Sequence, residues 1–194
     1  MMRRAYLYTY VSVVLLALNA GVSSKIIEAS PTNSYCPGSP RSTHAKCSLT
    51  AEFDNQCVVV LDEIYARLTG QEGWVDPHHG GTYNLIMNTS DVLEGTRITG
   101  DRKYMDKFKF TFEKQHDACI VHSCSESQVF SILDYNTNYC NLRNLYCGTD
   151  DGCKVVLNKL VLRKEALGSC SYHDKKSCKI VSSAKISLRG LSNN

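Results

Sequence analysis

The chain has 194 residues, of which 43% are hydrophobic and 21% charged, with ten cysteines and a formal net charge of +3. That length suits one domain plus processing segments, and the composition excludes an intrinsically disordered chain. Without Arg3 and Arg4 the balance is 20 basic against 19 acidic residues, so bulk charge makes no case for nucleic acid or an anionic membrane as partner.

Arg3 and Arg4 precede an uncharged apolar run over residues 5–20, and small residues follow to Ser24. Val22 and Ser24 suit a signal-peptidase site with cleavage before Lys25, so residues 1–24 read as a secretory signal peptide. The alternative is an uncleaved anchor, but the run falls short of the ~20 residues a membrane span needs. The expected localisation is therefore secreted and extracellular, with no stable span after processing. Ten cysteines in that compartment imply five disulfides among Cys36, Cys47, Cys57, Cys119, Cys124, Cys140, Cys147, Cys153, Cys170 and Cys178. Their pairings number on the order of a thousand, and sequence does not choose among them.

Residues 25–46 read as a mobile arm rich in Pro, Ser and Thr, with Cys36 and Cys47 tying its far end to the body. Leu49 to Gly70 reads as a helix, N-capped by Asp54 and closed by Gly70, with Val58, Leu61, Ile64, Tyr65 and Leu68 as its apolar stripe and Cys57 as its anchor. Short strands follow: Tyr83 to Met87, Val92 to Thr99, Lys107 to Phe112, and Ala118 to Ser123. The clearest is Lys107 to Phe112, where Phe108, Phe110 and Phe112 alternate with Lys107, Lys109 and Thr111. Further strands are expected at Gln128–Leu133 and Val155–Leu162, and residues 179–194 read as a flexible tail. The fold class is thus α+β: one N-terminal helix on an antiparallel meander of about five strands, stapled by disulfides across residues 47–178. Its element order is cystatin-like by analogy, which carries no function.

Several stretches together carry a resemblance. They are Gly73 to His78, Gly81 to Tyr83, Thr99 to Asp101 with Lys103 and Tyr104, Cys124 to Val129, and Thr137 to Cys147. The chain from about Cys36 to Cys178 resembles a group of small secreted cysteine-rich proteins of single-celled algae such as diatoms. That resemblance implies no activity and no catalytic residue.

Two constellations could carry chemistry. Asp76, His78 and His79 lie in a Pro/Gly-flanked loop, and carboxylate with imidazole can bind metal or exchange protons near neutral pH. The competing reading is a surface loop with Asp76 in a turn bond. Asn136, Asn138, Asn141 and Asn144 are interleaved with Tyr135, Tyr139, Arg143 and Tyr146, an amide–aromatic set suited to sugar or peptide. Its competing reading is structural, with Asn in turns and Tyr packed on disulfides. Tyr135, Tyr139, Asn141, Arg143 and Tyr146 are the binding candidates.

Cys119, His122 and Cys124 lack the spacing of a zinc ribbon, and no nucleophile elbow, phosphate loop, dinucleotide loop, zinc-protease helix or calcium loop occurs. No cofactor or metal is therefore expected. Asn88-Thr89-Ser90 is an N-glycosylation sequon at an expected hairpin turn. Gln128-Val129 lacks the spacing of the cystatin inhibitory hairpin and no later Gly completes it. Lys175, Lys176, Lys179, Lys185 and Arg189 read as a solvated basic tail. The function expected is an extracellular binding protein without catalytic activity, its partner a protein or glycan. The alternatives are a hydrolase using Asp76, His78 and His79, or a protease inhibitor.

Overall fold

A computed structural model of the chain describes residues 36–38, 43–132, 135–170 and 172–179. The expected signal peptide, most of the arm, and the tail from residue 180 lie outside the described residues. All described residues belong to one unit, Asn33–Asn194.

The first regular element is a strand, β1 (Lys46–Phe53), and not the start of a helix. Its burial alternates strictly, with Cys47, Leu49, Ala51 and Phe53 inward. A period of two selects a strand over a helix. The helix α1 begins later and spans Cys57–Leu68. Asp54 does not cap it. Gln56 occupies the N-cap without a side-chain bond, and Asp54 pairs instead with Arg163. Gly70 does take the left-handed conformation that ends a helix (φ 68°).

The inward face of α1 is Val60, Glu63, Ile64, Arg67 and Leu68, while Val58 is exposed. The apolar stripe read from sequence is thus rotated, because the buried face includes an ion pair that apolar periodicity does not register. Arg67 Nε donates to Glu63 Oε1 at 2.8 Å.

β2 (Thr82–Asn88), β3 (Val92–Ile98), β4 (Met105–Gln115) and β5 (Ala118–Ser127) follow as an antiparallel meander joined by short turns. β5 then pairs with β1, so the meander closes back on the first strand. A sixth strand, β6 (Leu162–Leu167), joins the far side of β1. The sheet order is β2-β3-β4-β5-β1-β6, six strands where about five were expected. Ile64 and Leu68 of α1 share one core with Phe108, Phe110 and Phe112 of β4, as the alternation of those phenylalanines implied. A second helix, α2 (Thr137–Arg143), packs on β5, β1 and β4.

Two expected strands are absent among the described residues. After Ser127 the chain has no strand to pair with, because β4 begins at Met105. Gln128 N donates to Met105 O at 2.9 Å, and Phe130 and Ile132 stand exposed. Residues 155–161 stay irregular, and four of their amides have side-chain acceptors, Val161 N donating to Asn55 Oδ1 at 2.7 Å. The Glu63 carboxylate accepts from Val156 N at 2.9 Å and from Leu157 N and Asn158 N at 2.7 Å. A buried side chain thus does the work of a neighbouring strand.

All ten cysteines are paired: Cys36–Cys124, Cys47–Cys170, Cys57–Cys119, Cys140–Cys178 and Cys147–Cys153. Cys57 ties α1 to β5, and Cys36 ties the arm to β5. Cys140–Cys178 ties the segment after β6 to α2.

Candidate functional site

The stretch from Asn136 to Cys147 turns its polar groups inward. Tyr139, Asn141, Arg143 and Tyr146 are each 2% exposed or less, while Tyr135 is 81% exposed. Four of the five binding candidates are therefore buried, and the open amide–aromatic face expected from sequence does not form. The physical reason is a set of buried partners that the amides and hydroxyls reach. Asn138 accepts from Ser125 Oγ at 2.7 Å and donates to Ala45 O at 3.0 Å. Asn141 Nδ2 donates to Asp106 Oδ2 at 2.8 Å and to Ser125 Oγ at 3.0 Å. Tyr139 and Tyr146 hydroxyls share the Glu165 carboxylate at 2.8 and 2.7 Å, and burial, then that carboxylate, holds both phenols well above their usual range. Arg143 lies between Glu165 and Asp151; its Nη2 donates to Asp151, and its Nη1 makes an ion pair with Glu165 at 3.1 Å.

The two outer amides of the same stretch have a different task. Asn136 Nδ2 donates to Asp174 O at 2.7 Å, and Asn136 Oδ1 accepts from Asp174 N at 2.9 Å. Asn144 Nδ2 donates to Cys178 O at 3.0 Å. With the Cys140–Cys178 bond between them, these amides clamp residues 174–178 onto α2 at both ends. This segment is not a solvated tail. It carries Lys175, Lys176 and Lys179 on its outer side, all exposed.

The clamped segment walls a groove made of two adjoining depressions of about 300 and 290 Å³. One is bounded by Lys175, Lys176 and the Asp150–Asp151 turn. The other has Trp74, Val75, Pro77 and Lys154 as its wall. Both share Asn144, Lys179 and the Cys147–Cys153 bond, which closes the turn between them. Lys154 Nζ is fixed by donating to Glu72 O at 2.6 Å.

The loop of Asp76, His78 and His79 is built into the structure beneath this wall. Asp76 is 3% exposed, and its two oxygens accept from Arg97 Nε (2.8 Å), His78 N (3.0 Å) and Asn144 Nδ2 (3.0 Å). Burial pushes its carboxyl up, and the Arg97 guanidinium pulls against that. His78 is 4% exposed, with Nδ1 at 3.2 Å from Ser177 O. Burial, then Arg97 and His79, push its imidazole down to about 4. Its ring meets the ring of His79 edge-on at 4.6 Å, with His79 outward. The three residues thus come together, with Asp76 and His78 already committed to internal bonds.

Cys119 and Cys124 are in disulfides, and His122 contacts Thr50 Oγ1 at 3.1 Å and Glu113 Oε2 at 3.4 Å. Among the described residues no group of three His, Cys, Asp or Glu side chains is placed to hold a metal, and no helix is long and apolar enough to cross a membrane. Asn88 is exposed at the end of β2, beside the β2–β3 turn.

No protein-family model matches the chain, and no curated protein does.

Sequence reasoning missed the groove, because its lysines were grouped with the C-terminal tail. One signal was present. Lys175 and Lys176 lie between Cys170 and Cys178, and two oxidised cysteines bracketing seven residues leave little freedom to fray.

Proposed function

We propose that the protein is a secreted extracellular binding protein without catalytic activity, whose partner is a protein or a glycan held in the groove beside α2. The observation that carries this reading is the clamped segment. Two buried asparagines and a disulfide are spent on fixing a short exposed stretch that walls a groove. A binding surface held rigid before contact loses less conformational entropy when its partner arrives. Five disulfides support an extracellular setting. The sequon at Asn88 belongs to the same reading, as a glycan on an exposed turn.

The hydrolase alternative uses His78 or His79 with Asp76; His79 is exposed, but Asp76 and His78 would have to exchange protons beside it. Both side chains are occupied by Arg97, Asn144 and Ser177, and an imidazole pushed down to about 4 is a poor base near neutral pH. The deciding experiment is capture from arrays of glycans and of extracellular proteins by the secreted protein, run beside hydrolase and protease-inhibition assays. Capture without turnover or inhibition supports the proposal. Turnover that His78→Ala or His79→Ala abolishes at unchanged melting temperature would overturn it.

A further inference from the structure

The groove beside α2 also indicates what kind of partner it takes. Its lining includes Arg143, Lys154, Lys175, Lys176 and Lys179 against two acidic residues, Asp150 and Asp151. Apart from Arg3 and Arg4 the whole chain is nearly balanced, so this excess is local and does not reflect general basicity. Arg143 is buried and already paired with both Asp151 and Glu165. Among the described residues Lys175, Lys176 and Lys179 form no ion pair, and these three exposed ammonium groups share their depression with the Asp150 carboxylate. Lys179 Nζ lies over the turn glycine, since a Cβ placed on Gly152 would come within 2.9 Å of it.

Across the groove the wall changes character. The exposed Val75 and the half-buried Pro77 present carbon surface over the buried Trp74, and Lys154 is held at its edge by the Glu72 carbonyl. A ligand that fits both walls carries several negative charges and also has apolar faces between them. A sulfated or carboxylated sugar chain has that composition: its C–H faces rest on Val75 and Pro77, while its anionic substituents meet lysines.

We infer that the groove between residues 174–179 and the Trp74–Pro77 wall binds an acidic polysaccharide. This rests on the binding reading above and names its ligand class. Asn136, Asn144 and the Cys140–Cys178 bond act as positioning groups that hold the lysines in place. Ammonium groups so held release counterions from a polyanion on contact, so affinity falls steeply with salt.

The test is titration of the full secreted protein with dextran sulfate and polygalacturonate, against uncharged dextran and single-stranded poly(dT), across a series of salt concentrations. The expected result is binding to the two acidic polysaccharides, weak or no binding to dextran, and weaker binding to poly(dT). The triple variant Lys175→Ala, Lys176→Ala, Lys179→Ala should bind about tenfold more weakly or worse. Its slope of log affinity against log salt should fall by about one for each lysine removed. A control variant, Lys107→Ala, Lys109→Ala, Lys114→Ala on β4, loses the same charge elsewhere and should bind as the parent does.

Equal losses in the two variants, or tighter binding to poly(dT), would overturn the inference. Capture of a neutral glycan or a protein, unaffected by the groove lysines, would overturn it while leaving the binding reading in place. Capture of nothing on any array would overturn both. All three lysines are exposed, so the variant is expected to fold, and an unchanged disulfide mass and melting temperature check this.

Discussion

Glu63→Gln is the substitution that tests the architecture most directly. Glu63 is fully buried in α1 and accepts from three consecutive backbone amides, Val156, Leu157 and Asn158, and from the Arg67 guanidinium. Burial alone would raise its carboxyl, but those three amides and Arg67 outweigh it and hold the group below the usual carboxylate range. Glutamine keeps the shape and replaces one oxygen by an NH2 group. At the Oε2 position that group faces two N–H donors, each 2.7 Å away. At the Oε1 position it faces Val156 N and Arg67. Either orientation sets donors against donors and leaves the Arg67 charge buried without a carboxylate. Breaking a buried, hydrogen-bonded pair from one side costs about 4 kcal/mol. That is a large share of the ~5–15 kcal/mol that holds a domain folded. The assay is guanidinium unfolding with the disulfides intact, comparing Glu63→Gln, Arg67→Met and Glu63→Gln/Arg67→Met. The single variant should lose about 4 kcal/mol at unchanged slope, and the double variant less than the two single losses together. A loss under about 1 kcal/mol for Glu63→Gln would refute the assignment of the amides of residues 156–158 to this carboxylate.

Further expectations concern individual positions. His78 is neutral in the fold, with a value of about 4 against an ordinary 6.5, under burial, Arg97 and His79. A depressed histidine leaves stability intact above the ordinary value and removes it as pH falls toward the folded one. The protein should thus lose about 2.5 kcal/mol from this group between pH 7 and about 4.5, and His78→Gln should flatten that part of the curve in urea midpoints; parallel curves would count against it. Asn138→Ala removes bonds to Ser125, Ala45 and Ser127 inside the α2 contact and should cost about 2 kcal/mol or more by thermal or chemical denaturation. Gly152 sits at φ 72°, so Gly152→Ala should cost about 1 kcal/mol, and it should also displace Lys179 and weaken polyanion binding. Asn88→Gln should lower the mass of the secreted protein by one glycan, read by mass spectrometry with and without glycosidase.

Some of this was legible in the chain and some was not, for reasons that differ by residue. Lys107 to Phe112 declares a half-buried strand, because period two over six residues has one reading. The turns at Thr89 to Asp91, Gly100 to Lys103 and Gln115 to Asp117 follow from local chemistry, so β2 to β5 are where periodicity and turn residues place them. Leu49 to Phe53 has the same alternation, but it lies against a helical pattern and was absorbed into it. Val155 to Leu162 has strand composition and no strand. The acceptor for its amides is Glu63, about ninety residues earlier, and no local pattern encodes that. The Asn136 to Tyr146 motif presented two readings that composition does not separate. Amides and phenols that suit a sugar also suit a buried network, and which holds depends on Asp106, Ser125 and Glu165 arriving from β4, β5 and β6.

By itself the sequence determined the oxidation of all the cysteines, the α+β class and the central meander. These depend on composition, an even thiol count and short-range periodicity. Only the tertiary structure decided the disulfide pairing, the return of β5 onto β1, the inward turn of α2 and the clamping of Lys175, Lys176 and Lys179 beside Trp74. Each of these depends on which distant groups meet, and a meeting between distant groups leaves no periodic trace along the chain.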